Sequence, residues 1–66
     1  MPDPADHEVY FEFTVIGSVV KVAAIDSLTA TEVSITGPAH APRSELQRIA
    51  LQKLKARLAR ENTGSP

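Results

Sequence analysis

His40 and Ser44 stand four residues apart, the one spacing in this chain that could pair a base with a hydroxyl nucleophile. Such a pair works only with a third group to orient the base and a pocket to hold a substrate. Neither is offered nearby, and His40 reads as an exposed linker residue. His7 lies in a lead rich in proline and aspartate and reads the same way. Two histidines and no cysteine exclude a disulfide and a thiolate metal site. The stretch Gly37-Pro38-Ala39-His40-Ala41-Pro42 precedes a predicted helix, where backbone N–H groups can hold an anion. It lacks a glycine-rich cradle with a following Lys-Ser/Thr pair, so it reads as a stiff linker rather than a phosphate loop. The chemistry points to no enzyme, no cofactor and no metal.

Charge is the next candidate. Residues 1–42 carry six acidic side chains against one lysine, a balance of −5. Residues 43–66 carry six basic against two acidic, a balance of +4. A basic C-terminal helix could contact nucleic acid through Arg43, Arg48, Lys53, Lys55 and Arg60. At about 100° per residue these charges scatter around the helix instead of forming one stripe, which favours a solvated surface.

The elements that would position these groups follow from periodicity. Residues 8–16 alternate strictly, with Val9, Phe11, Phe13 and Val15 on one side and Tyr10, Glu12, Thr14 and Ile16 on the other. Gly17-Ser18 is a two-residue hairpin signal of the primed-turn kind. Residues 19–26 read as the return strand, 27–30 as a loop and 31–36 as a third strand, ended by Gly37-Pro38. A two-residue turn pairs Phe13 with Val22 and Phe11 with Ala24; a four-residue loop pairs Asp26 with Thr31 and Val22 with Ile35. These registers put every strand's apolar set on one face, an agreement that a one-residue slip destroys.

The helix is predicted to begin with Pro42 at the first helical position, or with Ser44 as N-cap and Gln47 completing a capping box, and to run to about Arg60. Leu46, Ala50, Leu54 and Leu58 make an apolar stripe that should lie across the greasy side of the sheet. The expected fold is α+β: a three-stranded antiparallel β-meander, order 1-2-3, with one C-terminal α-helix on one face. It occupies 8–61 as a single domain, between a disordered lead (1–7) and a disordered tail (62–66).

A domain of 66 residues buries a small core and needs support. With no disulfide or metal to supply it, self-association is the expected support. The first strand is a long apolar edge without proline or lysine, and the outer sheet face carries Tyr10, Ile16, Val19 and Ile25. These four are the expected self-interface of a homo-oligomer, a dimer first. A different protein partner is the next expectation, and a weak nucleic-acid contact the alternative. No apolar run is long enough to span a membrane and no signal peptide is evident, so a cytoplasmic location is expected.

The segments Glu8-Val-Tyr-Phe-Glu-Phe-Thr14, Val20-Lys-Val-x-Ala-Ile-Asp26, Thr31-Glu-Val-Ser-Ile35, Gly37-Pro-Ala39 and Ala50-Leu-x-Lys-Leu54 resemble a family of very short bacterial proteins, mainly alphaproteobacterial, classed as a domain of unknown function. The resemblance spans residues 8–58 and implies no activity and no functional residue. The βββα order is also similar to the C-terminal part of double-stranded-RNA-binding domains. Those open this helix with a lysine pair; Ala41-Pro42-Arg43-Ser44 holds one base, and the family's first helix has no counterpart.

Overall fold

The computed structural model describes residues 8–63, and side chains as far as Glu61. The expected lead, with His7, and residues 64–66 lie outside the described residues. Three strands, β1 (Val9–Ile16), β2 (Val19–Asp26) and β3 (Glu32–Pro38), form an antiparallel sheet in the order β1-β2-β3, followed by helix α1 (Arg43–Thr63).

The registers are those that the alternation predicts. Phe13 faces Val22, Phe11 faces Ala24, Val22 faces Ile35 and Ala24 faces Val33. Gly17 turns the first hairpin at φ +62° while Ser18 does not take positive φ, the pattern of a type II′ turn. In the second loop the left-handed residue is Ala30, at φ 62°. Its N–H donates to Asp26 O at 2.8 Å, and Asp26 N–H donates to Thr31 O at 2.8 Å.

Asp26 is fully buried at the end of β2. Its Oδ2 accepts the Thr29 N–H at 2.9 Å and the Thr29 hydroxyl at 2.6 Å. Thr31 Oγ1 lies 2.8 Å from Thr29 Oγ1 and donates to Glu61 Oε1 on the helix at 3.3 Å. This chain of polar contacts ties the loop to α1. The signal was present in the sequence as Asp-Ser-Leu-Thr, an acid able to bond the backbone and hydroxyl three residues on.

Strands β1 and β3 each begin one residue later than expected, and three further boundaries differ. Strand β3 continues through Gly37 and Pro38. Ala39 N–H donates to Ser18 O, and Asp26 N–H to Thr31 O. Bonded pairs therefore alternate so that Val19–Pro38 falls between them, and the proline deprives the β2–β3 ladder of nothing. The helix opens at Arg43 with Pro42 as N-cap: Pro42 O accepts from Glu45 N–H at 3.1 Å and Leu46 N–H at 3.2 Å. Ser44 is thus already helical and caps nothing. At the other end α1 runs to Thr63, a little past the expected stop near Arg60.

The core is Val20, Val22 and Ala24 of β2 and Val33 of β3 against Leu46, Ala50, Leu54 and Leu58 of α1. Helix α1 packs on β2 and β3. The helix lies across the apolar side of the sheet as expected, without covering all of it: on β1, Val9, Phe11 and Phe13 are half-buried and Val15 is 57% exposed. A helix about 10 Å wide covers roughly two strands spaced about 4.8 Å apart. Those two are β2 and β3, and near the start of α1 the approach is close: a Cβ at Gly37 would come within 2.7 Å of Leu46 Cδ2, so that side chain would have to shift to make room.

Two substitutions test this account. Ala30→Gly should raise stability by about 0.5–1 kcal/mol, relieving the left-handed strain net of glycine's entropy cost. Asp26→Ala should lower it by about 1–3 kcal/mol, by removing the buried acceptor of both Thr29 hydrogen bonds that close the loop. Urea denaturation of both variants reads the two signs.

Candidate functional site

Hydrogen-bond parity separates the two edges of the sheet. Ser27 N–H donates to Glu8 O at 3.1 Å, so in the β1–β2 ladder the even-numbered residues of β1 face β2. The N–H and C=O groups of Val9, Phe11, Phe13 and Val15 face outward, and among the described residues none has a partner. The outward groups of β3 belong to Glu32, Ser34, Thr36 and Pro38. There Pro38 carries no N–H, and Lys53 Nζ donates to Ser34 O at 2.7 Å. Edge β3 is thus protected by a proline and a lysine, two common guards against strand pairing, while β1 has neither.

The exposed side chains of β1 extend this open edge on both faces. On the outer face Tyr10 is 53%, Ile16 62% and Val19 45% exposed, and Ile25 is half-buried. Tyr10 pairs with Ile25 at one end of the hairpin and Ile16 with Val19 at the other. The four expected interface residues therefore form two patches, six residues or roughly 20 Å apart along β1. Glu12, Thr14 and Lys21 lie between them. Ala23, opposite Glu12 on this face, is buried because taller neighbours overshadow its methyl on the central strand.

Tyr10 Oη donates to Glu8 Oε1 at 2.9 Å. That bond, and the charge of the same carboxylate, hold the phenol above its ordinary pKa of 10.0.

The five basic residues are distributed over three rows of α1. Lys53 over Ser34 and Glu61 beside Thr31 place the row Ile49–Lys53–Arg57–Glu61 on the β3 side. The Arg43 guanidinium lies 4.7 Å over the Phe13 ring, which places the row Arg43–Gln47–Leu51–Lys55 on the β1 side. Arg48 pairs with Glu45 at 3.6 Å and, with Arg60, faces solvent. No single basic stripe results. His40 and Ser44 are exposed and neither side chain makes a hydrogen bond. Among the described residues no cluster of three His, Cys, Asp or Glu could hold a metal ion, and no helix is long and apolar enough to cross a membrane.

Fold and surface define a small βββα domain whose distinguishing feature is an open strand edge bordered by apolar side chains on both faces. The chain belongs to the family described as Domain of unknown function (DUF6898), whose profile matches residues 6–61. No curated protein and no solved structure matches it.

Tyr10 is the one tyrosine in a chain without tryptophan, so ultraviolet titration of the phenolate band reads it alone. Its midpoint should lie above that of a free phenol, and Glu8→Gln should lower it. A midpoint unmoved by Glu8→Gln would show that the Glu8 contact is not formed in solution.

Proposed function

We propose that this chain is a non-enzymatic, cytoplasmic protein-interaction module that acts as a homodimer through antiparallel pairing of β1 with β1 of a second copy. The observation that carries this reading is the asymmetry of the edges: four consecutive outward-facing residues of β1 offer unpartnered backbone groups, while β3 is guarded.

Symmetry restricts the register. Outward-facing residues must meet outward-facing residues, so a two-fold axis passes through a residue, and Phe11, Glu12 and Phe13 are the choices that keep most of β1 paired. An axis at Glu12 sets that carboxylate directly opposite its own copy, which is unfavourable. Of the other two, an axis at Phe13 pairs more of the strand: Val15 bonds Phe11 of the second copy, Glu12 meets Thr14 and Tyr10 meets Ile16. The two outer patches, apart within one chain, then become neighbours across the dimer, with Val19 and Ile25 flanking them. Nucleic-acid binding is less well supported, since the basic residues lie on three different rows of α1 and form no single stripe.

Val15→Pro removes one outward N–H without touching the β1–β2 ladder. Sedimentation velocity across concentration should give a dimer for the native chain. It should give a monomer of unchanged circular dichroism for Val15→Pro. Tyr10→Glu should weaken the dimer by about tenfold or more, ~1.4 kcal/mol. A native chain that stays monomeric, or a Val15→Pro chain that stays dimeric, overturns the proposal.

A further inference from the structure

We propose that the inner face of the paired β1 strands is a docking trough for one amphipathic helix, acidic on both flanks, from a different protein. The inference rests on the β1 pairing. Helix α1 covers β2 and β3 and leaves the inner side of β1 only partly covered: Val15 is exposed and Phe11 and Phe13 are half-buried. In a sheet continued across the β1 edges, the two copies of α1 stand four strand spacings apart, about 19 Å. Packed helices lie about 8–10 Å from axis to axis, so the gap admits a single further helix centred on the two-fold axis.

The lining states what that helix must carry. The floor is Phe11, Phe13 and Val15 from both copies, with the Arg43 guanidinium lying over the edge of it at Phe13. Each wall is the β1-side row of α1, where Arg43 and Lys55 stand at either end of Gln47 and Leu51 with no acid among them. An apolar stripe with glutamate or aspartate on both sides matches floor and walls together. Another copy's α1 does not match: its exposed row, Ser44–Arg48–Gln52–Ala56–Arg60, brings arginines to arginines. Nor does the segment before Glu8, whose one large apolar side chain is Met1.

The test uses the full chain and two labelled helical peptides of about five turns, ~18 residues. Both carry the same leucine stripe, one flanked by glutamates and the other by lysines. The glutamate peptide should bind at one per two chains, at least about tenfold more tightly than the lysine peptide. Lys55→Glu, alone and with Arg43→Glu, should leave the sedimenting mass unchanged and remove or invert that preference. A dimer that binds neither peptide, binds both equally, or keeps its preference in the charge-reversed variants overturns the docking alone. A chain that sediments as a monomer with and without peptide overturns the pairing and, with it, the two-walled trough.

Discussion

A three-stranded sheet is too wide for one helix, and the rest of this structure depends on that mismatch. The helix must leave part of the apolar face uncovered, and two contacts accompany its seat on the β3 side. Gly37 contributes no side chain where Leu46 lies, so the helix can approach the backbone closely. Lys53, farther along, reaches over to Ser34 O. Both lie on the β3 side, and β1 is the strand left over. Its phenylalanines contact the rim of the core without belonging to its buried centre.

The same placement settles which edge is open. A helix seated over β3 brings a lysine within reach of that edge, and Pro38 removes a donor from it. Nothing comparable reaches β1, because the helix row nearest to it places Arg43 over the Phe13 ring rather than beyond the strand. One displacement of the helix by less than its own width therefore produces both a bare edge and a bare face, on the same strand. A domain with a core this small has little stability to spare, and joining two such strands would complete the ladder at no cost to the existing packing.

The second loop shows how a short chain holds its elements together without disulfides. Asp26 is buried, yet its carboxylate is met by Thr29 at two points, which offsets the penalty of removing it from water. Through Thr29 and Thr31 the same network reaches Glu61, so the last turns of α1 are tied to the loop before β3. The strain at Ala30 is a local cost accepted in closing that loop.

Much of this was legible along the chain. Strict alternation in Glu8–Ile16, a glycine at the first hairpin and the four-residue spacing of Leu46, Ala50, Leu54 and Leu58 specify elements and registers, because each reflects a period that only one local geometry satisfies. The open edge of β1 was also visible, as the absence of proline and lysine. What alternation does not encode is lateral position: it says which face of a strand is apolar, not which strands a helix will cover. Thus Val15 belongs by pattern to the core and in the fold to the surface. The basic residues could be placed on a wheel, but which of them faces β1 depended on how α1 seats against Gly37. The sequence by itself determined the strands, their pairing, the single helix and the apolar character of each face, since these follow from local periodicity and turn chemistry. Only the tertiary structure decided that β1 is the uncovered strand, because that turns on the width of a helix and on how α1 seats beside β3, which no local period records.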